Sequence, residues 1–476
     1  MISFIISLLA LVAGYFVYGN VVERVFGPDN RVTPAVNKAD GVDYIVLPRW
    51  KVFMIQFLNI AGTGPIFGAI MGAKFGPSAY LWIVIGCIFA GAVHDYFSGM
   101  LSMRHGGAGL PEIIGNYLGQ TTKKVMLVFS VFLLIMVGAV FVYSPALILG
   151  NITGNSVTWV YIWCVIIFVY YIIATMLPID KIIGKIYPLF AVSMLFMAVA
   201  LMIVLFVKWP ELPEITDGLA NMSPSQGTIF PCLFITIACG AISGFHATQS
   251  PLMARCIKSE KDGRPLFYGT MITEGLVALV WATISSYFFY GGAAAELGVS
   301  DMLQAPEVVV AVSGGWLGTI GGILALLGVV AAPITSGDTA LRSARLIIAE
   351  FLNMEQRTIR KRIYICVPLF AVTMGMLCFN IADKDGFNVV WSYFGWANQT
   401  LAVFTLWAIT VYLVSSGKPY IITLLPALFM TVVCSTFIVV SGNAFNMGIT
   451  AGYGVGGSVL VVAVAWFVSW YRRVRK

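Results

Sequence analysis

Residues 59–65 read NIAGTGP, and they lie in the middle of an apolar run that is long enough to cross a bilayer. Gly62 and Gly64 have poor helix propensity, and Pro65 lacks the backbone N–H that a continuous helix uses. Unpaired backbone is tolerated at membrane depth only where it lines a cavity or contacts protein. The stretch therefore predicts a membrane helix that is broken near its middle.

A second apolar run repeats this chemistry at residues 239–251, which read CGAISGFHATQSP. The two runs are five predicted spans apart, so the second enters the membrane from the opposite side. Matching breaks in two inverted halves indicate the binding site of a secondary transporter. The alternative for each break is a packing kink, since Gly and Pro are common in membrane helices. A pair of polar breaks at matching positions favours a site.

The composition restricts the class of protein. The chain is 59% hydrophobic and 10% charged, whereas soluble domains carry about 25% charged residues. A soluble globular protein is therefore excluded. The net charge of +7 comes from scattered basic residues in short loops, which argues against nucleic-acid binding. The eight cysteines show no spacing typical of a metal centre, so we expect neither a metal nor a cofactor.

Apolar runs of about 20 residues predict thirteen membrane spans. They lie near 2–19, 52–74, 78–103, 124–149, 157–178, 185–207, 228–255, 266–290, 315–341, 363–380, 388–414, 419–441 and 449–471. With the N-terminus outside, 25 of the 28 Lys and Arg residues fall on the inner side, and only Lys74, Lys208 and Lys384 fall on the outer side. The positive-inside rule thus predicts an outer N-terminus and a cytoplasmic C-terminus.

Two segments outside these spans also carry predictions. The first apolar run lacks a basic start and a cleavage site, so we expect it to be retained as a helix. The inner loop 20–51 is rich in Gly and Pro, which predicts ordered turns at the membrane surface and no helix. The glycines at 64, 68, 72 and 76 recur every four residues, which predicts one smooth helix face for close packing.

Ionisable side chains inside spans cost about 2.5 to 3.5 kcal/mol each, so each needs a partner or a function. Asp95 could carry a transported proton, or pair with Arg104 or with a buried donor. Asp338 could couple to an ion, or form a salt bridge with Arg342 one helical turn later. For Glu274, a functional and a structural role are equally plausible.

The second break contains His246, whose imidazole could donate a hydrogen bond to a carboxylate. The hydroxyl groups of Thr335 and Ser336, together with carbonyls freed in the first break, could bind sodium, and a proton-coupled protein could use the same corner without a metal. His94 and His246 lie on separate spans and could in principle be axial haem ligands. That pair alone gives a weak alternative, a membrane redox protein.

Four stretches resemble the carbon-starvation protein A family. They are residues 59–76 (NIAGTGPIFGAIMGAKFG), 85–107 (IGCIFAGAVHDYFSGMLSMRHGG), 110–115 (LPEIIG) and 40–44 (DGVDY). Members of that family are inner-membrane carriers implicated in the uptake of peptides or pyruvate, with pyruvate and proton symport attributed to one branch. The family is similar to the amino acid, polyamine and organocation superfamily, which implies the leucine-transporter fold of two inverted five-helix repeats.

The resemblance implies an all-α polytopic membrane protein with one extra N-terminal helix. The segments that we predict are 1–51 for this helix and its loop, 52–208 for the first repeat, 209–227 for an outer loop, 228–414 for the second repeat, and 415–476 for two peripheral helices. In this fold the ninth span contributes hydroxyl ligands to a sodium site, and Thr335 and Ser336 match that position.

We therefore predict a secondary active transporter of the inner membrane that imports a small carboxylate, such as pyruvate, by proton or sodium symport. The predicted substrate-binding residues are Asn59, Gly62, Thr63, Gly64, Gly240, Ser243, Gly244, His246 and Gln249. The predicted ion-coupling residues are Asp95, Thr335, Ser336 and Asp338. A carrier of di- or tripeptides is the alternative, and it would need a partner for the peptide ammonium group, such as Asp95 or Glu274. A nutrient sensor is disfavoured, and the oligomeric state stays open.

Overall fold

The computed structural model describes residues 1–154, 156–177, 183–356, 358–382 and 386–474, and their regular structure is helical. The α-helices are α1 Ile2–Phe16, α2 Tyr18–Phe26, α3 Pro34–Asn37, α4 Arg49–Ile60, α5 Ala69–Ala73, α6 Ser78–Gly86, α7 Ala92–Arg104, α8 Leu110–Leu118, α9 Gln120–Thr153, α10 Val157–Met176, α11 Ile183–Lys208, α12 Phe234–Thr236, α13 Gly244–Ala254, α14 Gly269–Tyr290, α15 Ala293–Glu296, α16 Ala305–Phe351, α17 Ile359–Ala382, α18 Gly386–Ser415, α19 Ile421–Val440 and α20 Ile449–Val474. Wider π-helical turns occupy Gly64–Gly68, Cys87–Gly91, Ile229–Leu233 and Arg264–Tyr268.

Thirteen predicted spans correspond to helical segments, but two of them are broken into separate helices and the ninth is kinked at Gly318 of α16. Among the described residues, eleven helices are long and apolar enough to cross a membrane. A twelfth span is the pair Arg49–Ile60 and Gly64–Ala73, which bend by 54° relative to each other. The predicted span near 228–255 consists of two short pieces, 229–236 and α13, separated by residues 237–243. Both predicted breaks are therefore confirmed.

The prediction of an entirely non-helical inner loop is wrong at its start. Residues Tyr18–Phe26 continue the first span as α2, and Pro34–Asn37 form one turn of helix. The reason is a repeat of buried positions, because Gly19, Val22 and Phe26 share one face of α2. By contrast, the predicted outer loop 209–227 contains only the short 3₁₀ turns Ile215–Asp217 and Pro224–Gln226.

Ion pairs connect segments that the charge count places on the same side of the membrane. The Met1 amino group contacts Glu214 of the predicted outer loop. Arg104, at the end of α7, binds Glu260, with 3.1 Å between the Arg104 Nε and the Glu260 Oε1, at the predicted inner surface. Lys384, one of the three predicted outer cations, lies outside the described residues. Which of the two surfaces faces the cytoplasm stays a prediction.

The predicted glycine face is confirmed at three of its four positions. A methyl group at Gly64 would overlap Cys239, at Gly68 it would lie 2.8 Å from the Thr236 carbonyl oxygen, and at Gly72 it would overlap Ile237. The absent side chains thus let α5 and the π-helical turn before it lie directly against the second broken span. Gly76 serves a different purpose, since its φ of +87° places it in a turn after α5.

The second broken span lies at the centre of the helix bundle. Its helix α13 packs against α7, α4 and α18, while α14 packs against α4 and the π-helical turn Gly64–Gly68. The long helices α9 and α16 pack along each other, and α11 packs against both α16 and α4. These contacts bring the ionisable residues of α7 and α14 next to the two breaks.

Candidate functional site

The first break leaves one backbone carbonyl oxygen without its partner in the helix, and a side chain from another helix donates a hydrogen bond to it. Helix α4 ends at Ile60, and the Gly62 N–H turns back to the Ile60 carbonyl oxygen at 3.0 Å. A continuous helix would have directed that N–H to Leu58. The Ser336 hydroxyl donates instead to the Leu58 carbonyl oxygen at 2.8 Å. The predicted corner between the first break and the ninth span therefore exists, with Ser336 in contact with the break.

Thr335 contributes less to this corner than predicted. Its hydroxyl donates within its own helix, to the carbonyl oxygens of Ala331 and Ala332, each at 2.9 Å. The Thr335 carbonyl oxygen accepts a hydrogen bond from the Tyr187 hydroxyl at 2.9 Å. Of the two predicted hydroxyl ligands, Ser336 alone contacts the first break in this arrangement.

The second break is held by a residue that the sequence prediction missed. Asn398 of α18 accepts hydrogen bonds from the Ser243 hydroxyl at 3.0 Å and from the Phe245 N–H at 2.6 Å. These contacts satisfy donors at the start of α13 that have no partner within the helix. The available signal was an asparagine inside an apolar span. Ser243 is thus a cap residue whose hydroxyl points to α18.

Four predicted glycines lie at the breaks, but each faces packed protein. A methyl group would overlap Phe141 at Gly62, Cys239 at Gly64, Ala278 at Gly240, and the backbone of Asn398 and Ala402 at Gly244. Close helix packing therefore accounts for these glycines in this conformation. The break residues are also enclosed, because Asn59, Thr63, His246 and Gln249 are each 0% exposed.

Asp95 joins the third span to the second break. Its Oδ1 lies 2.8 Å from the His94 Nδ1, and its Oδ2 lies 2.8 Å from the His246 Nδ1. All three side chains are 0% exposed. Because an ionised carboxylate only accepts hydrogen bonds, both imidazoles carry a proton on Nδ1 in this arrangement. The buried-donor alternative for Asp95 is confirmed, and pairing with Arg104 is wrong because Arg104 binds Glu260.

Glu274 lies on the far side of the His246 ring. Its Oε2 is 3.4 Å from the His246 Nε2, a distance short enough for an ion pair, although neither atom has a hydrogen-bond partner. The Cys239 Sγ lies in the same group, and one ligand atom from each of these three side chains lies within 4.8 Å of the other two. The structure therefore places Glu274 beside the second break, next to His246 and Cys239.

Asp338 has different partners from those considered in the sequence. Its Oδ2 accepts hydrogen bonds from the Tyr187 hydroxyl at 2.6 Å and from the Tyr170 hydroxyl at 3.1 Å, while its Oδ1 has no partner. The predicted pair with Arg342 is wrong. The Arg342 guanidinium instead extends to Asp43 of the inner loop, with 3.3 Å between Nη1 and Oδ1. Among the residues that the structure describes, no cation forms an ion pair with Asp338.

Several buried polar atoms around the breaks have no hydrogen-bond partner. They belong to Gln56, Asn59, Thr63, His246, Gln249 and Glu274. Buried polar groups in native proteins are nearly always paired, so such a group of atoms indicates where a polar ligand would bind. Gln56 was missed by the sequence prediction, although a glutamine one turn before the first break was a usable signal.

Comparisons with known proteins agree with this architecture. The family model described as carbon starvation protein CstA matches residues 1–162, 147–313 and 291–437. A peptide transporter CstA of Bacillus subtilis is 26% identical, over 99% of this chain and 96% of its own length. The pyruvate/proton symporter BtsT of Escherichia coli is 29% identical, over 57% of this chain and 47% of its own length. An uncharacterized membrane protein of Haemophilus influenzae is 45% identical, over 61% of this chain and 91% of its own length.

Solved structures confirm the fold. A manganese transporter of Eremococcus coleocola superposes with a TM-score of 0.58 at 12% identity, over 92% of this chain and 99% of that one. A sodium-coupled sialic acid symporter superposes with a TM-score of 0.55 at 11% identity, over 95% and 96%. The fold is the leucine-transporter type that the resemblance implied. The named relatives are transporters and not enzymes, and this chain, an integral inner-membrane transporter, belongs to the carbon starvation protein CstA family.

Proposed function

We propose that this protein is a secondary active transporter that imports a small nutrient with a carboxylate group by proton symport, with its N-terminus outside. The observation that carries the proposal is the convergence of two broken helices on buried polar side chains that lack partners. Broken helices at the interface of two repeats are where secondary transporters bind their substrates. The names of the two characterised types of relative, peptide transporter and pyruvate/proton symporter, support the same class of function.

The first break supplies neutral groups for the substrate carboxylate. Gln56 and Asn59 lie on one face of α4, three residues apart, and Thr63 follows in the break. The amide nitrogens of Gln56 and Asn59 and the Thr63 hydroxyl are donors with no partner. A carboxylate accepts such donors well, and uncharged donors hold it without adding a buried cation.

Glu274 favours a substrate that also carries an ammonium group. Both of its carboxyl oxygens lack a hydrogen-bond partner, whereas both oxygens of Asp95 are taken by imidazoles. An ammonium group of a short peptide or amino acid would pair with Glu274, and pyruvate has no such group. We therefore favour a short peptide over pyruvate, and relatives named peptide transporters cover most of this chain.

Asp338 is the residue that we assign to the coupling proton. It is 0% exposed, its Oδ1 has no partner, and the donors at its Oδ2 are the neutral hydroxyl groups of Tyr170 and Tyr187. Carboxyl groups in such positions inside membrane proteins mark proton relays. The nearest cation along the helix, Arg342, is bound to Asp43. A sodium ion at the corner of Thr335 and Ser336 is the alternative.

A chain of contacts connects this carboxyl group to the first break. The Tyr187 hydroxyl shares its one proton between the Asp338 Oδ2 and the Thr335 carbonyl oxygen. The next residue, Ser336, donates to Leu58 at the end of α4. Gaining or losing a proton at Asp338 would therefore change the contacts between α16 and the broken helix. The broken helix is the element that must move for the site to open alternately to the two sides of the membrane.

The test is uptake into proteoliposomes under an inward proton gradient. Labelled dipeptide and labelled pyruvate are supplied in parallel, each with the other as unlabelled competitor, with and without sodium. We expect gradient-driven accumulation of dipeptide in the absence of sodium. Accumulation of pyruvate that dipeptide does not inhibit would overturn the assignment of Glu274, and a strict sodium requirement would move the coupling site to Ser336.

A further inference from the structure

We propose that Cys239, His246 and Glu274 form a binding site for a divalent transition-metal ion, and that zinc fits it best. A metal ion and a substrate ammonium group would compete for Glu274, and the experiment below measures metal binding without transport. Thiolate, imidazole and carboxylate groups are the three kinds of protein ligand that zinc takes. The spacing of these residues along the chain matches no known zinc motif, so the site arises only from the fold.

The distances suit a metal ion. One ligand atom from each of the three side chains lies within 4.8 Å of the other two. The His246 Nε2 and the Glu274 Oε2 are 3.4 Å apart. Two ligands at about 2.1 Å from a tetrahedral zinc ion are separated by about 3.4 Å. These two atoms therefore already occupy positions that a bound ion requires.

The orientation of the His246 ring is the second argument. Its Nδ1 lies 2.8 Å from the Asp95 Oδ2, and its Nε2 faces Glu274. A bound ion would therefore take Nε2 as its ligand atom, while the Nδ1–H donates to Asp95. A carboxylate that binds the other nitrogen of a metal-ligating histidine is a recurrent feature of zinc sites, because it fixes the tautomer and raises ligand basicity. Asp95 is itself held by His94.

Charge and softness select the ion. A thiolate and a carboxylate together neutralise a divalent cation, so the ion and its three ligands would carry no net charge, and Asp95 would be the one remaining anion beside them. Thiolate and imidazole ligands favour zinc and related ions over magnesium and calcium. The Cys239 Sγ has only weak contacts at present, with the Ser243 Oγ at 3.6 Å and the Asn398 Nδ2 at 3.8 Å. The other oxygen of Glu274 is available as a fourth ligand.

The experiment is titration of the purified full-length protein in nanodiscs with cobalt chloride, followed by competition with zinc chloride. Cobalt in a tetrahedral site with a thiolate ligand gives an ultraviolet charge-transfer band and intensified visible bands. We expect both bands at one equivalent and their loss when zinc is added. The matched variants are Cys239→Ser, which should lack the charge-transfer band, and Cys434→Ser, which removes a buried thiol of α19 and should keep it.

A second measurement separates metal binding from a folding defect. Zinc should raise the thermal midpoint of the unmodified protein with increasing concentration, because a ligand of the native state stabilises it. The same rise should occur in Cys434→Ser and disappear in both Cys239→Ser and Glu274→Gln, each checked as a monodisperse peak on gel filtration. Absence of cobalt bands in the folded unmodified protein, or identical bands in Cys239→Ser, would overturn the site and leave the proposed transport function untouched.

Discussion

Two aspartates in the helix bundle are equally buried, yet they have different hydrogen-bond partners. Asp95 on α7 has one imidazole donor for each carboxyl oxygen, at 2.8 Å each. Asp338 on α16 has two tyrosine hydroxyls on one oxygen and none on the other. Both are 0% exposed. The first is fixed as a hydrogen-bond acceptor, and the second has a free oxygen and partners that stay neutral.

The difference teaches that burial alone does not assign a function to a membrane carboxylate. A carboxylate whose two oxygens each accept from an ionisable donor organises those donors, as Asp95 does for His94 and His246. A carboxylate with neutral donors and an unused oxygen can gain and lose a proton without disrupting a salt bridge. The following predictions test this contrast.

Asp338→Asn should abolish accumulation driven by the proton gradient, because the amide cannot carry the proton. Exchange of labelled for unlabelled substrate, which needs no net proton movement, should persist. The free energy of unfolding should change by less than about 1 kcal/mol, since neutral donors can hydrogen-bond to the amide oxygen. Uptake and exchange are measured in the same proteoliposomes. Retained accumulation would remove Asp338 from coupling.

Asp95→Asn should abolish both uptake and exchange and should also destabilise the fold. One of the two imidazoles loses its acceptor, and a buried donor left without a partner costs about 1 to 3 kcal/mol. Urea unfolding monitored in detergent gives the stability, with Asp338→Asn as the matched control. Equal stability of the two variants would contradict the distinction drawn between the two aspartates.

A third aspartate, Asp43 at the inner surface, provides the reference case of a true ion pair. Burial alone raises the pKa of Asp43, but Arg345 and Arg342 outweigh burial and hold that pKa below its usual range. A carboxyl group with a lowered folded-state pKa contributes stability above its unfolded pKa of about 3.9, and the contribution is lost as the pH falls through the folded value.

Asp43→Asn should therefore destabilise the protein by about 3 kcal/mol at neutral pH, because two buried guanidinium groups lose their counterion. The difference in stability from the unmodified protein should shrink as the pH falls below about 4. Unfolding is measured at pH values from neutral to acid. A pH-independent difference would show that the Asp43 charge does not stabilise this surface.

Gly64→Ala tests whether the contact between the two broken spans must be close-packed. The added methyl group would overlap Cys239, and overpacking costs about 1 to 3 kcal/mol. Uptake should fall sharply while membrane insertion persists, and Gly64→Leu should abolish uptake. The control is Gly457→Ala on α20, where the methyl group meets nothing within 4 Å. Normal uptake by Gly64→Leu would remove the first break from the site.

Tyr187→Phe should have the smallest effect. It removes one of the two hydrogen bonds to the Asp338 Oδ2 and the bond to the Thr335 carbonyl oxygen. Loss of a buried hydrogen bond costs about 1 kcal/mol. The pH dependence of uptake should shift, because the remaining donor to Asp338 is Tyr170. An unchanged pH profile would indicate that Tyr187 has only a packing role.

Much of the architecture was predictable from local composition. Gly62, Gly64 and Pro65 predicted the first break, and the structure bends there by 54°. The helix α2 was missed because Gly and Pro elsewhere in the loop obscured the buried face of Gly19, Val22 and Phe26. Span positions follow from hydrophobicity over about 20 residues, so they need no knowledge of neighbours.

Side-chain partners were not predictable in the same way. The sequence suggested an ion pair between Arg342 and Asp338 because they are one helical turn apart. The long Arg342 side chain instead reaches Asp43, almost 300 positions earlier in the chain. Sequence position suggested Arg104 as a partner for Asp95, whereas the fold brings His246 of the second broken span to it. Proximity on a helix makes a pair possible, and it does not determine which buried anion a flexible cation contacts.

The sequence by itself determined the membrane class, the spans and the two breaks, because each depends on hydrophobicity or backbone chemistry within a short window. Tertiary structure alone decided which buried groups are paired and which are not. It brought Cys239, His246 and Glu274 together, and it left Asp338 with tyrosines as its partners. The physical reason is that buried polar groups obtain their partners from whichever helices pack around them, and helix packing is a property of the whole chain.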